Sequence, residues 1–284
     1  SKEQIIAEAS AVKKKLDQHG LKAEFVAPRL WEDPRTIDGG YTSNDPNCRK
    51  YAVERSLRCI DIAKALGTDL IVFWLAREGT YIRESKDSVV AVRRIADAIN
   101  AMFDYDGKIR IAIEAKPNEP MDHTFIPTIG HAIGLGMLTK DASRVGCVIE
   151  SAHAILAGLD PSDEMGYALA HKKLWTVHLN DQNGLKFDQD KTFGAVDLRR
   201  AFNQVRILEK HGYADDGHMV GLDVKAMRTQ KADDAMRHLS NSRAIFLRLL
   251  EKARSFDTKL EADLIAQRNY EALEMYVINH LLGD

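Results

Sequence analysis

Side chains able to hold a metal or a substrate close successive β-branched runs in this chain, and that placement constrains the fold more than any other feature. The runs are LKAEFVA (21–27), LIVFW (70–74), IRIAIEA (109–115), CVIE (147–150), LWTVHLN (174–180) and HMVGLDV (218–224). Helical patterns separate them. One carries apolar positions at Tyr51, Val53, Leu57, Ile60, Ile62 and Leu66 and stops at Gly67, and another spans roughly Asp87 to Phe103. Strand alternating with helix in this way builds parallel strands with covering helices, and the runs are apolar on both faces, as such strands are. An open doubly wound sheet and a closed barrel both satisfy this pattern. The runs end on Trp74, Glu114, Glu150, His178 and Asp223. A barrel gathers all its strand ends round one mouth, whereas an open sheet strings them along a line and brings only those beside the switch point into a cleft. No Gly-rich phosphate fingerprint follows any run, since Gly39-Gly40 stands in a loop. The expected fold class is therefore α/β, a (β/α)8 TIM barrel.

Six runs are visible where a closed barrel needs eight. No Pro/Gly/Ser-rich linker or low-complexity stretch marks a second globular domain. The expected organisation is a catalytic barrel domain over 1–235 and a helical tail over 236–284. The chain has 284 residues, 40 basic against 42 acidic side chains and a net charge of −2. So even a balance argues against gripping nucleic-acid phosphates or anionic lipid. No apolar run reaches the roughly 18–20 residues that span a bilayer, and SKEQIIAEASAVKKKLDQHG at the start reads as an amphipathic helix rather than a signal peptide. Cys48, Cys59 and Cys147 form neither a CxxC nor a disulfide framework. They read as reduced thiols of a cytoplasmic protein.

Four segments carry candidate chemistry. In IAIEAKPNEP (111–120), Glu114 and Lys116 leave a strand on one face, a carboxylate for a hard cation beside an ammonium for a substrate oxygen. An ordinary surface ion pair gives the same pattern. In IESAHAILAG (149–158), Glu150 and His153 are three apart where strand meets helix, so both can point into one site. HLNDQNGLKFDQD (178–190) is the most informative: Asp188 and Asp190 alternate on a short turn, with His178 at the strand tip upstream. It lacks the Gly and Glu that an EF-hand loop requires. GLDVKAMRT (221–229) contributes Asp223. Together Glu114, Glu150, His153, His178, Asp188, Asp190 and Asp223 put seven ligand-type side chains, five of them acidic, at one expected barrel mouth. Buried without a cation, such a cluster repels itself and shifts its own pKa values. One or two divalent ions resolve this. Oxygen-rich ligands favour Mg²⁺ or Mn²⁺, and the imidazoles also admit Co²⁺ or Zn²⁺.

At these residues the sequence resembles the bacterial D-xylose isomerases, the shorter actinobacterial-type class in particular. The matching segments are DGGYTSND, VFWLAREG, IEAKPNEP, PTIGHA, LNDQNGLKFDQD with its following FGAVDLRRAF, and a terminal NHLLG. The resemblance implies a (β/α)8 barrel, two divalent metal ions per subunit, and interconversion of an aldose and its ketose by hydride shift between C1 and C2. It implies Glu114, Glu150 and Asp223 as ligands of the metal that holds the sugar. Glu150 then bridges to a catalytic metal also held by His153, Asp188 and Asp190. Lys116 is implied to hold the carbonyl oxygen, and Trp74 to wall the hydride path against water.

The sequence departs from the family in three respects. His178 stands where the family has an aspartate; histidine is still a competent ligand, as in the related rhamnose isomerases and ketose 3-epimerases. Trp31 replaces a phenylalanine and narrows the sugar pocket, while Ala27 and Arg29 replace polar residues, so the identity of the sugar stays open. Finally, two strands precede the opening helix in the family, the second bearing a ring-opening His–Asp pair. The expectation is that strands 3–8 are present here and that the preceding segment was left out of this chain. Two other readings remain: a one-metal ketose 3-epimerase using Glu114, Glu150, His178 and Asp223, and an inactive metal-binding homologue. The stretch Lys259–Leu282 reads as a helix with Leu260, Leu264, Leu273, Val277, Ile278 and Leu281 on one apolar face. Exposed, that face would exceed what monomers usually tolerate, so a homo-oligomer, dimer or tetramer, is expected. The expected partner is otherwise a small-molecule sugar, with no nucleic acid and no membrane.

Overall fold

A computed structural model describes residues 1–215, 217–234 and 236–283. Its centre is a sheet of five parallel strands in the order β1 (Leu70–Trp74), β3 (Arg110–Glu114), β5 (Val145–Glu150), β6 (Leu174–Leu179), β7 (Met219–Leu222). A two-stranded antiparallel ribbon, β2 (Gly79–Thr80) with β4 (His123–Thr124), lies outside it. Helices α2 (Pro46–Leu66), α3 (Ser88–Tyr105), α4 (Ile129–Met137), α5 (Ser151–Leu156), α6 (Pro161–Ala170) and α7 (Leu198–Lys210) follow or connect the strands, after the opening α1 (Lys2–Gln18). Local signals set their ends. Asp45, Asp160 and Asp197 accept backbone N–H bonds as N-caps, Pro46 and Pro161 occupy the first turn, and Gly67 ends α2 at φ 82°. This is the β/α order expected from the sequence. Among the described residues, no helix is long and apolar enough to cross a membrane.

The pleat explains why the strands look apolar throughout and yet build a polar site. Side chains alternate faces with period two. Ile71, Phe73, Ile111, Ile113, Cys147, Ile149, Val177 and Leu179 are buried in the layer against the helices. Leu70, Val72, Ala112 and Val148 form a smaller inner cluster with Phe25 and Trp175. One alternation further along the inner face come Trp74, Glu114, Glu150 and His178, with Trp74 beside Glu114 and Glu150 beside His178 in register. Burial pushes the Cys59 thiol up to about 11 and the Cys147 thiol up to about 12, and all three cysteines are free and buried.

Two expectations need correction. The run 21–27 is not a strand of its own: only Val26 pairs, with Ile71, at the sheet's edge. Pro28, two residues on, has no N–H to extend a ladder. The expected single helix over 259–282 is two, α9 (Thr258–Ala266) and α10 (Tyr270–Leu282), which follow α8 (Arg237–Arg254). The break comes at Arg268, whose φ is 54°, and Asn269 then caps α10. Tyr276, Val277 and Leu281 pack on the chain's own core, while Leu260, Ile265, Tyr270 and Met275 are exposed. The boundary expected at 235 falls on a position outside the described residues.

Candidate metal centre

All seven ligand-type side chains meet at the C-terminal ends of the strands. Glu114 closes β3, Glu150 closes β5, and His153 sits in the first turn of α5, on the same short strand-to-helix junction. His178 is near the end of β6; Asp188 and Asp190 come from the loop beyond it, and Asp223 directly follows β7. They line a cavity of about 500 Å³ that also takes in Trp31, Trp74, Phe25, Arg29 and Lys225. A larger cavity of about 710 Å³ opens at the opposite strand ends. Its Lys13 and Arg110 are already paired, with Asp17 and Asp69, and no candidate ligand group faces it among the described residues.

Ligand atoms converge in three groups, each within 4.8 Å: Glu114, Glu150 and His153; Glu150, His178 and Asp223; Glu150, Asp188 and Asp190. Glu150 is common to all three. His153 Nε2 lies 3.3 Å from Glu150 Oε1 and 3.2 Å from Asp188 Oδ2, and its Nδ1 lies 3.6 Å from Glu114. His178 Nδ1 is 3.9 Å from Glu114 and 4.0 Å from Asp223, whose side chain is half exposed. Lys116 Nζ reaches Asp188 Oδ2 at 2.7 Å and stands 5.3 Å from the centre of the Trp74 ring. Trp31 meets Trp74 edge-on at 5.7 Å.

Charge is in deficit here. Five carboxylates face two ammonium groups, Lys116 on Asp188 and Lys225 on Asp190. Burial, then the charge of Glu114 and the neighbouring aspartates, raises the Glu150 carboxyl well above its usual range. Asp190 is raised by burial and by Asp188, against the pull of Lys225. Burial acts on Asp188 too, but its hydrogen bond and attraction to His153, together with Lys116, hold it below the ordinary aspartate range. Nδ1 of His153, Nδ1 of His178 and Oδ1 of Asp188 are buried with no hydrogen-bond partner. Buried polar atoms of native proteins are rarely left so. Three orphaned ligand atoms beside a clustered negative charge are a donor set that divalent cations satisfy.

Several residues that organise this site did not stand out in the sequence. Asn180, buried just past β6, donates from Nδ2 to Glu150 Oε1 (2.8 Å), Asp190 Oδ1 (3.1 Å) and the Asp223 carbonyl (3.0 Å). Its Oδ1 accepts from Ala152 N–H at 2.8 Å. One amide thus ties three strand ends together. Gln182 and Gln189 lace the 182–190 loop: Gln182 bonds the Gly184 and Phe187 carbonyls and the Gln189 N–H, and Gln189 accepts from Asn183 N–H. The loop delivers Asp190 at φ 45°, a left-handed conformation rare outside glycine. The LND and DQD motifs were the available signals, and they gave no hint of which side chain would be the hub. Asn180→Ala strands the Ala152 donor and frees three acceptors, so we expect a loss of about 1–3 kcal/mol, measurable as an earlier urea midpoint at unchanged slope.

The sequence profile described as the xylose isomerase-like TIM barrel matches residues 2–242. The chain belongs to that family. Among solved structures, a D-tagatose 3-epimerase-like protein superposes with a TM-score of 0.65 at 17% identity, covering 87% of this chain and 85% of its own. The 3-keto-D-glucoside 4-epimerase of E. coli gives 0.65 at 13%, covering 86% and 87%. An IolI protein with a bound zinc atom gives 0.61 at 15%, covering 87% and 83%. At such identities these likenesses carry the fold alone. The xylose isomerase-like family is broader than the D-xylose isomerase class to which the sequence motifs point.

Proposed function

We propose that this chain is a divalent-metal-dependent aldose–ketose isomerase that acts on an open-chain sugar by a 1,2-hydride shift. The carrying observation is the arrangement about Glu150: one carboxylate shared by three ligand groups, with Asp188 and Asp190 turned in towards it. Glu114, Glu150, His178 and Asp223 would hold one cation; Glu150, His153, Asp188 and Asp190 the other. Bound there, Mg²⁺, Mn²⁺ or Co²⁺ supplies Lewis-acid polarisation of the sugar's C1 and C2 oxygens. The chain's own groups do the rest. The Lys116 ammonium donates to the carbonyl oxygen and fixes its position. Asp188, kept ionised by Lys116 and His153, stays an anion able to serve the second cation. Trp74 and Trp31 close one side of the cavity and keep water from the migrating hydrogen. Their edge-to-face contact leaves a narrow pocket for the sugar's far end. The exposed apolar residues of α9 and α10 fit a homodimer or homotetramer that covers them.

A second reading has a specific observation behind it. Glu150, His178 and Asp223 form a ligand group without Asp188 or Asp190, and a D-tagatose 3-epimerase-like protein and an L-ribulose 3-epimerase are among the structural relatives. A one-metal ketose 3-epimerase works by proton transfer and exchanges hydrogen with solvent. We favour the isomerase because a one-metal epimerase has no need of Asp188 and Asp190 turned in towards Glu150. Turnover of a panel of aldoses and ketoses in deuterated water separates the two. The isomerase yields an aldose–ketose pair almost free of deuterium at C1 and C2. Deuterium at C3 of an epimerised ketose would replace our reading with the epimerase.

A further inference from the structure

Arg77 and Glu78 in the turn after β1, and Lys86 beyond β2, are charged residues that the chemistry above does not use. Glu78 is 2% exposed, and its carboxylate accepts four bonds from one loop: Gly40 N–H (2.8 Å), Tyr41 N–H (3.2 Å), Thr42 N–H (2.8 Å) and the Thr42 hydroxyl (2.6 Å). Lys86, equally buried, donates to the Asp38 and Gly79 carbonyls at 2.7 and 2.9 Å and approaches the same Thr42 hydroxyl at 3.5 Å. Thr42 therefore links a buried acid to a buried base. The fit leaves no room for a side chain at Gly39: its φ is 88°, and a Cβ there would stand 2.7 Å from Thr42 Oγ1. Next to Glu78, Arg77 donates to the Trp31 carbonyl at 3.2 Å and to the Ile37 carbonyl at 3.4 Å. Tyr41 stacks on Phe73 of β1 at 5.0 Å. One turn thus grips the 31–42 segment at both ends, and that turn directly follows the strand that carries Trp74.

A buried carboxylate with four donors is costly to assemble unless every bond is made. What the assembly fixes is the place of Trp31 relative to Trp74. We propose that Glu78 and Arg77 are positioning residues: they dock the 31–42 segment so that Trp31 stands edge-on against Trp74 and completes the wall of the sugar cavity. The consequence for turnover rests on the isomerase reading, but the docking itself does not. Without the grip, the segment would lift, the Trp31 wall would open, and water would enter beside the reacting carbons.

The Trp31–Trp74 pair reports on this directly, because two indoles 5.7 Å apart at 87° couple their transitions and give an exciton couplet in circular dichroism. Trp31→Phe and Trp74→Phe should each abolish the couplet, while Trp175→Phe, at the other end of the strands, should leave it. Glu78→Gln keeps the shape but turns one acceptor oxygen, which takes two of the four bonds, into an unwanted donor; Arg77→Ala removes only the bonds to Trp31 and Ile37. Both should lose at least half of the couplet with the helical spectrum intact. Thr42→Val, which breaks the link but leaves Glu78, should lose part of it. If Glu78→Gln fails to fold, Arg77→Ala and Thr42→Val decide the matter. A couplet unchanged in all variants that fold overturns the proposal, as does a wild-type protein without one. These spectra need no sugar, so they stand even if no aldose is turned over. Where turnover is found, Arg77→Ala should lower kcat/KM by ~10²-fold, the effect of a misplaced binding group. That loss should track the loss of the couplet from variant to variant, which a purely structural weakening would not do.

Discussion

Replacing Glu150 with alanine is expected to abolish turnover and cut affinity for Mn²⁺ at both positions together. The reason is geometric: Glu150 belongs to every ligand group at the cavity, so removing it takes a ligand from each cation at once. Metal polarisation of a sugar oxygen supplies several kcal/mol of transition-state stabilisation, so the loss in kcat should be ~10³-fold or more. Asp223→Ala is the comparison. Its half-exposed side chain belongs to one group only, so it should weaken one position and leave the other. Isothermal titration with Mn²⁺ distinguishes the two patterns. Equal weakening of a single position in both variants would show that Glu150 is an ordinary ligand and not a bridge.

The second large effect is on stability. Addition of Mg²⁺ or Mn²⁺ to metal-stripped protein should raise the melting temperature at neutral pH. Each cation present at 100 times its Kd contributes about 2.7 kcal/mol, or roughly 4–5 °C for a chain of this size. The pH dependence follows from the shifts at the site. Glu150 and Asp190 are raised above their usual range. For an acid raised on folding, stability is fully present below the unfolded value and is lost as pH climbs through the folded one. Asp188 is lowered and works in the opposite sense, losing its contribution as pH falls through its depressed value. Glu150 dominates because it is buried among the most acidic neighbours. Metal-stripped protein should therefore lose stability from about pH 5 towards neutrality. Added metal should give a smaller gain at pH 5 than at pH 7, because protons compete for Glu150. Melting curves with and without EDTA at both values test this. An equal gain at the two, or none, would contradict it.

The parts of this molecule that were legible in the sequence are those that depend on periodicity. Alternation along β1, β3, β5 and β6 sets Trp74, Glu114, Glu150 and His178 on one face, and parallel strand order brings their ends together. No contact need be known to reach that. The spacing of Glu150 and His153 and the Asp188-x-Asp190 alternation belong to the same kind of reading. What escaped was whatever depends on distant loops folding over one another. Asn180 looks like the plain polar end of its run until the ends of β5 and β7 close round it. Glu78 looks like a surface acid until the 38–42 loop wraps its carboxylate, and DGGYTSND was visible as a motif without its partner. Lys225 joins the charge balance only because the 188–190 loop turns back over β7. The break at Arg268 went unseen because neither Gly nor Pro marks it, though Asn269 carried a cap signal. At 21–27 the β-branched pattern was real, but an edge place and Pro28 left a single bridge.

The isomerase mechanism requires two cations flanking one carboxylate. A crystal structure of the Mn²⁺-loaded protein, with anomalous differences collected at the manganese edge, measures this directly. We expect two peaks, one beside Glu114, His178 and Asp223 and the other beside His153, Asp188 and Asp190, each with a Glu150 oxygen at an ordinary coordination distance. A single peak on Glu114, Glu150, His178 and Asp223, with Lys116 still on Asp188 and Lys225 still on Asp190, would contradict the two-metal isomerase.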